Sequence, residues 1–215
     1  MIDDVAPDGS PVAVYLAMPA HDARDLVADQ APLGGSVLDL GCGVGRLANG
    51  LAADGLAVTG VDHHRGMLAH LSPAVAVVHA DIVGLELGRV FDVVLLASHL
   101  VNHPTLAPSF LTSCRRHVAS DGAVLIERFH PDLLDDLDAR HGEVDGVGVR
   151  HEVHHRASNR FTASAHYTIG GRTWTQRYDA ALLDDDAVAR LLRDVGLHLV
   201  TWLDDDARWL LARPA

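Results

Sequence analysis

Lysine is missing from these 215 residues: all 17 basic side chains are arginine, set against 29 acidic ones, for a formal charge of -12. A chain this acidic lacks an extended surface for phosphates, which argues against a nucleic-acid partner and favours a small-molecule substrate. The absence of lysine, beside abundant Ala, Asp, Gly and Val, points to a GC-rich genome rather than to a mechanism. Cysteine is scarce as well. Cys42 and Cys114 give no disulfide framework and no Cys-x-x-Cys metal pattern, so a cytoplasmic location is expected. No apolar run approaches the roughly 20 residues that a membrane helix needs. The start, Met1-Ile-Asp-Asp, lacks the basic opening of a signal peptide, so a soluble, unprocessed protein with no membrane partner is expected.

What the chain does have is a hydrophobic content of 48%, enough to bury the core of one domain over residues 1–215. It is organised around Val37-Leu-Asp-Leu-Gly-Cys-Gly-Val-Gly-Arg-Leu-Ala48. The apolar run Val37–Leu40 suits a strand buried on both faces, and it passes into glycines at 41, 43 and 45. Glycines there let a ligand approach the backbone, and a helix is expected from about Arg46, its first amides unpaired. A dinucleotide-binding Gly-x-Gly-x-x-Gly beginning at Gly41 would need glycine at position 46, where arginine stands.

The pattern Asp39-x-Gly41-x-Gly43-x-Gly45 closely resembles the first motif of class I S-adenosylmethionine-dependent methyltransferases. That resemblance implies that Asp39 and the glycines hold the methionine end of the cofactor. Leu56-Ala-Val-Thr-Gly-Val-Asp62 predicts a second buried strand ending in an acid. A carboxylate there can accept both ribose hydroxyls; as an alternative, Asp62 would cap a helix over 65–71. His63 falls beside it in the expected cofactor site. A third strand over 74–79 leads to Asp81-Ile82, which by resemblance take the adenine amino group and cover the ring, unless Asp81 simply caps a turn. A fourth strand, 91–97, delivers Ala97 and Ser98 to the place where the fold puts the transferable methyl group.

Beyond that strand, His103 and His99, in that order, are the candidates for catalysis. Asn102, and His130 after a fifth strand expected from Ala123 following an Asp121-Gly122 turn, are candidates for substrate binding, together with Tyr15 and Trp174. Tyr15 belongs to helical pieces over residues 1–31, broken by Pro19, that the resemblance makes a lid. Between Gly146 and Ala180 the helix-strand rhythm gives way to alternation, with Gly170-Gly171 and Ser158-Asn159 as turns, which predicts a three-stranded antiparallel insertion. Its edge and aromatic residues either roof the pocket or make a homodimer contact. His151-Glu-Val-His-His155 matches a helical zinc motif by letter, but on a strand the two histidines stand about 13 Å apart, so no metal is expected. Asp184-Asp-Asp opens a last helix that Gly196 stops, and a terminal hairpin completes the sheet.

The expectation is therefore an α/β fold with a doubly wound, mostly parallel seven-stranded sheet, helices on both faces, an antiparallel last strand, and a small antiparallel insertion after the fifth strand. By resemblance the function is methyl transfer from S-adenosylmethionine to a small molecule in bacterial natural-product metabolism. The alternatives are a rearrangement, cyclisation or decarboxylation on the same cofactor, or a module that senses it. The Asp/Asn-Pro-Pro-Tyr/Phe signature of methyltransferases that act on nucleic-acid bases is missing.

Overall fold

A computed structural model of the chain describes residues 5–18, 23–135, 137 and 141–215. Pro19, expected to break the N-terminal helices, and residues 1–4 of the expected lid lie outside the described residues. The strands of the main sheet are β1 (Ser36–Leu40), β2 (Ala57–Asp62), β3 (Ala76–His79), β4 (Phe91–Leu96), β5 (Val118–Glu127), β10 (Leu197–Trp202) and β11 (Trp209–Pro214). Their order across the sheet is β10-β11-β5-β4-β1-β2-β3. All neighbours are parallel except β11, which runs antiparallel to both β5 and β10. The direction of connection reverses between β1 and β4, and in a sheet of this kind that crevice, beyond the carboxyl ends of the strands, takes the ligand.

The period of two along each buried strand sorts its side chains to two faces. Leu38, Leu40, Val94, Leu96, Val124 and Ile126 pack with Phe110, Leu111, Val188 and Leu192 from α5 (Ala107–His117) and α6 (Asp185–Asp194). Val37, Val93, Leu95 and Leu125 pack on the other side with Ala23, Val27, Ala48 and Leu51 from α2 (Ala23–Ala28) and α3 (Ala48–Ala53). The expected doubly wound sheet is thus present. Its details differ in two places. The helix after the glycines begins at Ala48 instead of Arg46, because the chain first turns through Gly45 N–H to the Cys42 carbonyl. The fifth strand already begins at Val118 and runs through Asp121-Gly122, with a register shift against β4.

The insertion is a separate antiparallel sheet of four strands instead of three: β6 (His141–Val144), β7 (Val147–Ala157), β8 (Arg160–Ile169) and β9 (Arg172–Ala181). The additional strand is joined by Asp145-Gly146, both at positive φ (50° and 80°), an Asp-Gly hairpin turn of the kind that right-twisted strands favour. The histidines at 151 and 155 lie on β7, extended as expected. The inner face of this sheet carries Tyr167, Trp174 and Tyr178, against which Val14 and Ala17 of α1 (Val12–Ala17) pack. Gln176 Nε2 donates to Ser10 Oγ at 2.9 Å, which ties the N-terminal segment to β9.

One charged side chain joins insertion, last helix and terminal hairpin. Arg128, just past β5, is 1% exposed; it donates to the Ala207 and Leu183 carbonyls and to Asp185 at 2.7–2.8 Å, and it stacks on Trp202 at 3.9 Å. Its truncation leaves the Leu183 and Ala207 carbonyls without donors, so Arg128→Ala should destabilise the protein by about 1 to 3 kcal/mol for each in urea titrations. Arg128→Lys should recover only a part of this, since an ammonium cannot reproduce the planar fork.

Candidate functional site

The glycine loop closes over the tip of β2. Gly41 and Cys42 donate their N–H groups to the Val61 carbonyl at 2.8 and 3.0 Å, and Gly43 N–H donates to Asp62 Oδ2 at 2.9 Å. Gly41, Gly43 and Gly45 all have positive φ, of 74°, 54° and 83°. A Cβ at Gly41 would stand 2.7 Å from Leu100 Cδ1 and 3.5 Å from Ile82 Cδ1. Three separate segments therefore converge at Gly41, where a side chain would strain the positive φ and have to displace the end of Leu100: the loop after β1, the start of the 82–87 connection, and the turn after β4.

Asp62 is 8% exposed, and its second oxygen, Oδ1, accepts the His64 N–H at 2.8 Å. The cap of α4 (Arg65–Leu68) is His64, whose side chain accepts the Met67 N–H, so the alternative role of Asp62 as that helix's cap does not hold. With one hydrogen bond on each oxygen, the Asp62 carboxylate keeps further lone pairs for a ligand. His63 Nδ1 lies 3.8 Å from Asp62, and its carbonyl is held by His79 Nε2. Asp81 is exposed and its Oδ1 accepts the Val83 N–H at 2.8 Å, forming the turn weighed as its alternative; Ile82 is buried beside it.

The turn after β4 separates its candidates. Ala97 is buried at the strand end, while Ser98 and His99 both adopt left-handed backbone, at φ 55° and 59°. Non-glycine residues there cost of order 1–3 kcal/mol each and persist only when their surroundings hold them. The holder is Glu127 at the end of β5: its Oε2 accepts the Ser98 N–H at 2.7 Å, and its Oε1 accepts from Arg208 at 3.2 Å. His99 stacks on Phe129 with ring centroids 4.1 Å apart, and its Nε2 lies 3.8 Å from Glu127. Burial lowers its pKa from 6.5; Glu127 opposes that shift and Arg208 adds to it.

The remaining candidates face elsewhere. His103 Nδ1 accepts the N–H groups of Thr105 and Leu106, at 3.3 and 3.1 Å, at the approach to α5. Asn102 is buried and spans two backbones, donating to the Ala181 carbonyl and accepting the Phe129 N–H. His130 Nδ1 accepts the Asp132 N–H in its own turn. Trp174 packs with the α1 cluster and lies under Arg172. Tyr15 is enclosed next to Ser10 and Gln176, and burial raises its pKa. Glu127, which like His130 could contact substrate from the end of the fifth strand, is joined here by Phe129 and Arg208, which are not among the candidate site residues. Glu127 ends a buried strand on the ligand side of the sheet, the signal that marks it.

Asp39 is 2% exposed, and burial, followed by the nearby Asp62, pushes its carboxyl up to about 7. A carboxyl whose pKa is raised on folding binds more protons folded than unfolded between its two pKa values, so stability falls as pH rises from about 4 to about 7. Asp39→Asn should therefore unfold at higher temperature than the parent at pH 7.5, by roughly 1 to 3 kcal/mol, and show less pH dependence over that window in calorimetric scans.

Residues 37–122 match the family described as Methyltransferase domain. The chain is 34% identical over 122 positions to the ubiquinone biosynthesis O-methyltransferase of Pseudomonas paraeruginosa, an alignment covering 50% of this chain and 52% of that protein. The chain thus spans about half the length of the curated relatives it matches. Among solved structures, the CcbJ methyltransferase from Streptomyces caelestis superposes with a TM-score of 0.74 at 21% identity, over 92% of this chain and 91% of the other. The sugar N-methyltransferase KedS8 from Streptoalloteichus reaches the same TM-score at 21% identity, over 100% and 96%. Residues 37–122 are therefore similar to the Methyltransferase domain family, and the chain as a whole has the fold of these solved methyltransferases.

Proposed function

We propose that the protein transfers a methyl group from S-adenosylmethionine to a small molecule of bacterial natural-product metabolism. The observation that carries this reading is the glycine loop, held at positive φ at Gly41, Gly43 and Gly45 and lying beside an Asp62 carboxylate with lone pairs to spare. In it, Asp39, Gly41, Gly43 and Gly45 would hold the methionine end, Asp62 and His63 the ribose, Asp81 and Ile82 the adenine, with Ala97 and Ser98 beside the methyl group. The natural-product assignment draws on the solved relatives, which include a sugar N-methyltransferase and an amino pentose methyltransferase of calicheamicin biosynthesis.

The bound sulfonium would supply an electrophilic methyl carbon, so the protein's part is chiefly to align the acceptor. Alignment can supply about 7 to 11 kcal/mol of a barrier, whereas a general base adds a factor of roughly 10² to 10⁴. Of the histidines near the strand ends, His103 and His130 spend Nδ1 on local backbone, while His99 stands between Glu127 and Phe129. The base is therefore assigned to His99, ahead of His103. Its lowered pKa keeps the ring neutral, and so able to accept a proton, to below pH 6.5.

Four measurements test this. Calorimetry should find that Asp62→Ala weakens S-adenosylmethionine binding by about 1.5 to 3 kcal/mol and Asp62→Asn by less; unchanged affinity in a folded variant excludes the ribose role. Methylated product and S-adenosylhomocysteine should accumulate in equal amounts, which a rearrangement on the same cofactor would not give. At saturating cofactor, His99→Ala should lose roughly 10² in turnover and the acid-side limb of the pH profile. His103→Ala should instead lower stability by about 1 kcal/mol, since the Thr105 and Leu106 N–H groups lose their side-chain acceptor.

A further inference from the structure

Helix α5 reaches the connection between β3 and β4 with Ser113, Arg116 and His117, whose i, i+3, i+4 spacing puts them on one face of the helix. Each holds a different backbone group. Ser113 Oγ donates to the Ile82 carbonyl at 2.5 Å, Arg116 Nη1 donates to the Leu85 carbonyl at 2.8 Å, and His117 Nε2 accepts the Leu87 N–H at 3.1 Å. Ser113 and His117 are each 1% exposed, so water cannot readily replace either partner. Because His117 Nε2 accepts an amide proton, the ring is neutral and carries its own proton on Nδ1, which donates to the Ser113 carbonyl at 2.8 Å. Both ring nitrogens are satisfied. Arg116 adds an ion pair with Glu86 at 3.3 Å on the exposed rim.

Within itself the connection turns from the Leu85 N–H to the Ile82 carbonyl, at 3.3 Å, and from the Val83 N–H to Asp81 Oδ1, at 2.8 Å. Its place in the molecule is set by α5. Ile82 is buried, and its Cδ1 would stand 3.5 Å from a Cβ at Gly41, so the start of the connection is a wall beside the glycine loop.

We propose, resting on the methyl-transfer reading above, that Ser113, Arg116 and His117 are positioning residues for the adenine end of the cofactor: they fix the segment whose Asp81 and Ile82 would receive it. The clamp itself touches no ligand. It acts through the backbone at 82, 85 and 87, and a connection released at any of these points lets Ile82 leave the wall beside Gly41. Pre-forming that wall removes an ordering cost that the cofactor would otherwise meet on binding.

The test uses the full chain, ¹⁵N-labelled for NMR without cofactor and titrated with S-adenosylhomocysteine in calorimetry. His117 should show the Nδ1–H tautomer, and the Leu87 amide should exchange slowly with solvent. Ser113→Ala and His117→Leu should each weaken S-adenosylhomocysteine binding about three- to tenfold, the scale of one buried hydrogen bond, with the Ile82 amide resonance shifted and that of Gly43 unchanged. His117→Gln puts an amide oxygen where Nε2 stands and should bring affinity back to within about twofold of the parent. Arg115→Gln is the control. Arg115 lies on the same helix and donates to the Gly196 carbonyl at 3.0 Å, so its loss should lower thermal stability while leaving affinity within about twofold. Unchanged affinity in folded Ser113→Ala and His117→Leu, an equal loss in Arg115→Gln, no recovery in folded His117→Gln, or a parent His117 with its proton on Nε2 overturns the proposal. A parent that binds no S-adenosylhomocysteine overturns the methyl-transfer reading and the adenine role with it, whereas the tautomer and the Leu87 exchange rate decide the clamp without any cofactor.

Discussion

Three backbone donors on the glycine loop, Gly41 and Cys42 to the Val61 carbonyl and Gly43 to the Asp62 carboxylate, hold the end of β1 against the end of β2. The rest of the site is arranged about that joint. It demands positive φ at Gly41 and Gly43 and brings the end of the Leu100 side chain against Gly41, where a Cβ would have to displace it. Because Leu100 belongs to the turn after β4, the joint also sets where that turn lies. The turn in turn carries Ser98 and His99. A distortion of the loop is thereby felt on both sides of the crevice, at the tip of β2 and in the turn after β4.

The same corner concentrates features that cost stability. Asp39 is buried close to a second carboxylate, which drives its pKa to about 7. Ser98 and His99 hold left-handed backbone without being glycine, and His99 buries a nitrogen that lacks a good partner. Such groups would be expected to relax if the framework allowed it. The framework does not allow it: β1, β4 and β5 beneath the site are covered on both faces, and Arg128 fastens the end of β5 to the last helix and the terminal hairpin. A stable sheet thus carries an unfavourable surface at one end, which is the usual relation between a scaffold and a reactive site.

The N-terminal segment and the inserted sheet join above this end. α1 lies on the aromatic face of the insertion, and Ala6, Val12 and Tyr15 pack on Val44 of the glycine loop and Met67. The polar chain from Tyr167 through Gln176 to Ser10 and Asp8 fixes their register. The aromatic residues noted in the insertion therefore serve first as an inner wall, and Tyr178, Phe129 and His99 form a run of ring contacts from that wall to the tip of β4.

By itself, the sequence determined the strands and their order of use. Val37–Leu40, the 57–62 run ending in Asp62, and the 91–96 run are local patterns, since a strand buried on both faces must be apolar throughout, and a loop of glycines can be recognised from three residues. It also determined β7 as extended, because alternation and glycine outweigh the letters of a helical zinc motif. What it could not separate was His99 from His103. The two are four positions apart, have the same chemistry, and follow the same strand; only the left-handed turn, held by a Glu127 that lies 28 residues on from His99, stacks one ring on Phe129 and leaves the other to accept backbone N–H groups ahead of α5. The Asn102 amide was likewise decided at a distance, by the Ala181 carbonyl and the Phe129 N–H. Hydrophobic period and turn chemistry are short-range and survive in the linear code, whereas the direction of a polar side chain depends on which distant backbone group lacks a partner, and only the folded chain brings those groups together.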